Sequence, residues 1–165
     1  MKKVAPKGMR HSARPWREKL RPDLAPKICD DPRGRGRMLV PTPMLVAGAI
    51  AKIRRGRLLT VPELRNELAA KAGADFACPL CTGIFINIVA GAAEDDVAAG
   101  RKPLAPYWRV IRDDGTLSEK PPPGPARQAH WLRAEGHKMK RRGKTWRVDG
   151  FSRESSPGKS TPRRA

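Results

Sequence analysis

Charge is spread so unevenly along this chain that only its middle can close a hydrophobic core. Residues 1–37 carry 12 Lys or Arg against 4 acids, and residues 138–165 carry 10 against 2. Residues 38–137 carry 13 against 10. Of the net +19, therefore, +16 lies in the two flanks. Like charge at that density resists collapse, whereas the near-neutral middle can bury apolar surface. The expected organisation is a basic flexible arm over 1–37, one folded domain over 38–137, and a basic hairpin with a disordered tail over 138–165. A chain of 165 residues has room for one ordinary domain of this kind.

The flanks also constrain the partner. Basic arms condense on polyanions and release counterions, which gives salt-dependent, sequence-blind affinity. Nucleic acid is the expected partner; the plainer alternative is a solvated basic tail. Three cysteines exclude a full disulfide framework and point to a reducing, intracellular setting, the cytoplasm with association to the nucleoid. Met1-Lys2-Lys3 begins like a signal peptide, but Pro6, Gly8 and Arg10 stand where an apolar run is needed. No stretch approaches 18 apolar residues, so no membrane partner is expected. His11 carries no argument.

Within the arm, Trp16 and Leu20 are expected to dock one turn onto the body, and Arg33-Gly34-Arg35-Gly36-Arg37 reads as a flexible run. Order is expected to start near Met38. Thr42-Pro43 opens a helix with Met44, Leu45, Ile50 and Ile53 inward and Gly56 as its stop. Thr60-Val61-Pro62-Glu63 has the spacing of a capping box, and its helix should run to about Ala72 with Gly73 as the stop. Thr82 is the expected cap of a third helix. Its buried stripe is Ile84, Phe85, Ile88, Val89 and Ala92, with Ile86, Asn87, Ala90 and Gly91 opposite. Residues 107–112 read as a strand, Asp113-Asp114-Gly115 as a turn and Thr116-Leu117-Ser118 as a return strand. A last helix over 126–135 points Trp131 and Leu132 inward, and residues 138–148 form a hairpin around Arg142-Gly143. Helix, helix, turn, helix, wing, helix predicts a mainly α fold with a small β wing: a winged helix-turn-helix with basic flexible tails.

Four motifs resemble the DNA-binding domain of the alkylguanine-DNA alkyltransferases and their non-catalytic alkyltransferase-like branch. They are Gly56-Arg57-Leu58-Leu59-Thr60, Pro106-Tyr107-Trp108-Arg109-Val110-Ile111, Gly115-Thr116-Leu117-Ser118 and Leu132-Arg133-Ala134-Glu135-Gly136. The resemblance implies that the acceptor cysteine falls on Tyr107, its proton-relaying histidine on Trp108 and the relay carboxylate on Glu135. A phenol is a poor nucleophile at neutral pH, with an ordinary pKa of about 10, and an indole offers only a donor. No enzymatic activity is therefore expected, and Tyr107, Trp108, Ser118 and Glu135 should line a degenerate pocket. By the same resemblance the base-stack arginine falls on Gly83 and its helper tyrosine on Val61. Arg109 is expected to be a structural ion-pair partner.

Thr82, Gly83, Asn87, Arg101, Lys102 and Arg112 are the expected nucleic-acid contacts, while Glu94-Asp95-Asp96 should repel phosphate. The expected function is non-catalytic DNA binding by a monomer, with alkylated or damaged DNA as a candidate target. An RNA- or ribosome-associated role is the second candidate. Cys78-x-x-Cys81 carries a third: zinc binding, a redox pair, or a Cys81-dependent alkyl transfer favoured by a thiol pKa lowered at a helix start. Zinc needs four ligands, and Cys29, His130 and His137 could complete a set only by a coincidence of folding, so neither a metal nor another cofactor is expected.

Overall fold

The computed structural model describes residues 15–153. The expectations placed on Met1-Lys2-Lys3, on His11 and on most of the C-terminal tail lie outside the described residues. Four helices and three small sheets form an α-rich α/β domain. Among the described residues no helix is long and apolar enough to cross a membrane.

From residue 15 on, the arm expected to be flexible is structured. A 3-10 turn, Trp16–Leu20, buries Leu20, as the apolar pair in it predicts. Strand β1 (Lys27–Asp30) then pairs antiparallel with β2 (Arg37–Val40), Ile28 opposite Leu39. Arg33–Arg37, predicted as a loose run, is therefore the turn of a hairpin. Asp31 organises it: its carboxylate accepts the Arg35 backbone N–H at 3.2 Å and pairs with the Arg35 guanidinium at 2.6 Å. The charge count hides this hairpin because only Leu39 of its eight strand residues is fully buried.

Helix α1 (Pro43–Ala51) is capped by Thr42, whose hydroxyl accepts the Leu45 N–H at 3.1 Å. It stops well before Gly56, because Ile53 N–H already closes a tighter bond to the Ile50 carbonyl. Val46, Ala47 and Ile50 set its inner face and rotate Met44 outward, to 38% exposure. Strand β3 (Leu59–Thr60) leads into α2 (Val61–Ala72). Here the capping box forms, with Glu63 N–H to the Thr60 hydroxyl and Thr60 N–H to the Glu63 carboxylate at 2.8 Å. Gly73 ends α2 in the left-handed region, at φ 70°.

After β4 (Phe76–Ala77), which pairs parallel with β2, comes α3 (Pro79–Ala98). Its cap is Cys78, whose sulfur accepts the Cys81 N–H, and not Thr82. Thr82 is fully buried, its hydroxyl donating to the Cys78 carbonyl at 2.7 Å. The single-stripe expectation fails for α3. Ile86, Ala90 and Gly91 are buried along with Val89, Ala92 and Ala93, while Ile84 stands 47% exposed. The helix runs between two cores, so residues 89–93 have no outer face. Val89 and Ala92 join Leu39, Ile50, Leu64 and Leu68 on one side. Ala90 and Ala93 join Tyr107, Trp108, Ile111 and Leu132 on the other.

Residues 107–109 are a 3-10 turn rather than a strand, and only β5 (Val110–Ile111) is extended, parallel to β3. The expected return strand is reduced to a single bridge from Thr116 to Arg147. Pairing partners distant in sequence, β3 and Arg147, take the edges that a local hairpin would have used. Helix α4 (Pro125–Ala134) buries Gln128, Ala129 and Leu132. The hairpin β6 (Met139–Arg142) and β7 (Thr145–Val148) forms where the sequence places it.

Gly91 fixes how the N-terminal turn sits on α3. A Cβ there would lie 2.3 Å from Cδ2 of Trp16, so only a glycine lets the indole lie on the helix. Gly91→Ala should therefore destabilise the domain by about 1–2 kcal/mol, overcoming the gain of roughly 1 kcal/mol that alanine brings to a helix. Gly48→Ala, on the open face of α1, should instead stabilise by up to about 1 kcal/mol. Urea denaturation reads both; a Gly91→Ala protein as stable as Gly48→Ala would refute the packing assigned to Trp16.

Candidate functional site

The 3-10 turn delivers Tyr107 and Trp108 into the second core, between α3 and α4. Their rings meet edge to face at 5.5 Å, and Trp108 stacks on Trp131 at 4.7 Å and 18°. Two carboxylates close the cluster. Glu94 of α3 accepts the Tyr107 hydroxyl and Trp131 Nε1–H, both at 2.8 Å, and pairs with Arg127 at 3.1 Å. Glu135, just past α4, accepts Trp108 Nε1–H at 2.9 Å and pairs with Arg109 at 2.6 Å. Arg109 also donates to the Ile53 carbonyl, which ties α1 to this cluster.

Tyr107 thus fills the site it was expected to line. It is 2% exposed, and burial together with the Glu94 carboxylate pushes its phenol far above the ordinary range. Such a hydroxyl is a fixed donor, not a nucleophile. Trp108 and Glu135 do come together, as expected, but through a direct hydrogen bond that leaves no open space between them. Ser118 is occupied locally, its hydroxyl accepting the Lys120 N–H at 3.2 Å. A cavity of about 470 Å³ does open between α1 and α2, lined by Lys52, Arg54, Arg57, Glu63, Asn66 and Glu67 among others; none of the four expected pocket residues lines it.

The six expected nucleic-acid contacts do not form one surface. Thr82 is sealed inside. Gly83 and Asn87 are half-buried near the start of α3, whereas Arg101 and Lys102 follow its end. At about 1.5 Å per residue those groups are some 25 Å apart along the axis. Arg112 is exposed. Two of the three acids at the end of α3, Glu94 and Asp96, do not face solvent as expected. Asp96 is fully buried and bonded to Arg17 at 2.7 Å, Arg101 at 3.1 Å and Leu104 N–H at 3.0 Å. Glu94 is spent on the aromatic cluster. Neither presents its charge to an incoming phosphate.

A denser basic surface lies on the β6–β7 hairpin, which the sequence revealed as basic but not as a site. Register places Lys140 opposite Arg147 and Arg142 opposite Thr145, so alternation puts three cations on one face. On the other face Met139 and Val148 pack inward, followed by Arg141 and Trp146. The Trp146 ring takes the guanidinium of Arg133 at 4.9 Å and that of Arg141 at 5.5 Å. Arg55 donates to the Ala134 carbonyl at 3.1 Å. This bond brings the exposed Arg54, Arg55 and Arg57 beside Arg133 at the end of α4. The signal available in the sequence was the alternation of Lys and Arg around Arg142-Gly143 with one tryptophan among them.

Cys81 reverses its expectation. Burial and the neighbouring Cys78 push its thiol up to about 11, so the thiolate that alkyl transfer at Cys81 requires is disfavoured. Among the described residues no three His, Cys, Asp or Glu side chains converge as a metal site. Comparisons with protein-family models, with curated proteins and with solved structures find no match. The likeness to the alkyltransferases therefore rests on its four motifs alone.

The ion pairs make stability depend on pH in one direction. Hydrogen bonding to Arg17 holds Asp96 below its ordinary 3.8. At Glu135 burial works upward, but Arg109 and Trp108 outweigh it and leave the carboxyl below 4.5. A lowered folded pKa gives stability that is present above the unfolded pKa and is lost as pH falls through the folded one. The thermal midpoint should therefore hold between about pH 7 and pH 5 and drop below about pH 4. Glu135→Gln should cost about 3–5 kcal/mol at neutral pH, since it strands Arg109, and should shrink the acid drop. A midpoint unchanged down to about pH 2 would contradict these pairings.

Proposed function

We propose that this chain binds nucleic acid without chemistry, with duplex DNA as its partner, through the β6–β7 hairpin and the arginine turn beside α4. The observation that carries this is the outward hairpin face: Arg142 and Arg147 lie on it beside Lys140, which pairs with Asp149 at 2.9 Å, and neither strand contains an acid. Arg142, Lys144 and Arg147 are exposed and make no ion pair among the described residues. The wing expected over 107–118 does not form, and this two-stranded basic ribbon beside a helix is the element suited to the phosphates flanking a groove. The basic residues of the two flanks add sequence-blind affinity.

The absence of chemistry follows from Tyr107. A buried phenol hydrogen-bonded to Glu94 neither attacks an alkyl group nor offers room for an extruded base. The alkyltransferase resemblance therefore enters as a scaffold likeness, and the contacts that matter are to the backbone of the nucleic acid.

Each phosphate neutralised by a cation should add about 0.9 to the slope of log K against log salt for duplex DNA. The triple change Arg142→Gln, Lys144→Gln and Arg147→Gln should lower that slope by about 2–3 and weaken binding alike for all sequences. A slope that stays put, or tighter binding to structured RNA than to duplex DNA in direct competition, would overturn the assignment. Restoring a sulfur tests the chemical half. Tyr107→Cys, given a duplex with a labelled O6-methylguanine, should take up no more label than Tyr107→Ser. Label gained above that control would mean that the site is open.

A further inference from the structure

We propose that Cys78 and Cys81 form a redox-active dithiol that exchanges with disulfides, Cys78 attacking and Cys81 resolving. This activity is separate from nucleic-acid binding and rests on other residues. All three cysteines are free thiols, and both members of this pair are partly exposed. Cys78 caps a 20-residue helix, and its sulfur accepts the Cys81 N–H at 3.4 Å. The Cys81 side chain follows three residues on, within interacting range of the Cys78 thiol. The cap and the third residue of the first turn stand side by side, and a disulfide needs their Cβ atoms about 3.5–4.5 Å apart.

The roles follow from the surroundings. An attacking sulfur carries negative charge during exchange. At Cys78 that charge meets the Cys81 N–H and the positive end of the α3 dipole, and the Arg35 guanidinium is close enough to feel it. The Cys78 backbone is held on both sides: its N–H donates to the Leu39 carbonyl at 2.8 Å, and its carbonyl accepts the Thr82 hydroxyl. Cys81 stays protonated until the second step. Beside the pair, Leu80 is 72% exposed and Ile84 47% exposed, one helical turn apart. Together they form an apolar lip against which a disulfide with apolar flanks can rest.

The exchange balances without a metal. The Cys78 thiolate attacks one sulfur of R–S–S–R′, a Cys78–S–R bond forms, and R′–S⁻ leaves and takes a proton. Cys81 then loses its proton and attacks the Cys78 sulfur, which expels R–S⁻. Two protein thiols are oxidised to one disulfide, and one external disulfide is reduced to two thiols.

Oxidised glutathione is a suitable probe, with the full chain carrying Cys29→Ser to remove the exposed third thiol. Mass spectrometry should find an internal Cys78–Cys81 disulfide, reversible by dithiothreitol, and no retained glutathione. Adding Cys81→Ser should trap one glutathione on Cys78. Adding Cys78→Ser, which keeps a good helix cap, should leave a Cys81 that reacts about tenfold or more slowly. Unchanged circular dichroism and thermal midpoints show that both variants fold. Lasting glutathione on both cysteines of the parent, or equal rates for the two single-thiol variants, would overturn the proposal.

Discussion

Two carboxylates near the C-terminal end of α3 hold the domain together by pointing in opposite directions. Residues two apart on a helix lie about 200° apart around its axis, and Glu94 and Asp96 use that angle. Glu94 faces α4 and receives Tyr107, Trp131 and Arg127. Asp96 faces the other way and receives Arg17 from the N-terminal turn and Arg101 and Leu104 from the segment after the helix. Neither carboxylate could be buried alone, since an unpaired buried charge costs several kcal/mol. Each therefore requires its partners to be in place, and so couples one core to the other through the helix that separates them.

The same arrangement shapes the protein's electrostatics. Asp31, Glu94, Asp96 and Glu135 all place their charge inward, onto an arginine and usually onto backbone or ring N–H groups as well. The cations without such partners collect on the surface, most densely on β6, β7 and the 54–57 turn. The described part of the chain thus behaves less like a uniformly basic body than like a neutralised core with a basic ribbon. The consequence for function is that the cations and the aromatic cluster answer different needs. Trp108, Trp131 and Tyr107 are consumed in packing, while Trp146 serves to hold Arg133 and Arg141 in place on the surface.

How much of this was legible in the sequence depends on how local each cause is. The capping box at Thr60 and Glu63, the stop at Gly73 and the hairpin around Arg142-Gly143 are determined within a few residues, and each forms where its residues place it. The α3 face was misjudged because periodicity assumes one buried stripe, and this helix, between two cores, has no outer face over residues 89–93. Residues 107–118 were misjudged because β3 and Arg147, both remote in sequence, claim their edges. The 27–40 hairpin stayed hidden under its own basic composition. At the site, the aromatic pair Tyr107 and Trp108 is readable, but the closure around Tyr107 is not: that depends on Glu94, an acid that local sequence marks only as a repulsive charge.

The two ends of α3 consequently differ in kind. Its C-terminal half is sealed by small residues, with Ala90, Gly91, Ala92 and Ala93 all buried, which lets Trp16 and the Tyr107 turn approach the backbone closely. Side chains that short leave no room for a ligand and make that half a strut. Its first turns are the reverse, with Leu80 and Ile84 exposed and the Cys78 sulfur capping the helix on the Cys81 N–H. Burying α3 at one end and freeing it at the other keeps the sulfurs rigidly mounted yet reachable. The mounting is set by the strands β2 and β4, through Leu39 and Cys78, and not by the basic hairpin. Chemistry at the thiols and charge at the hairpin can therefore act independently on one scaffold.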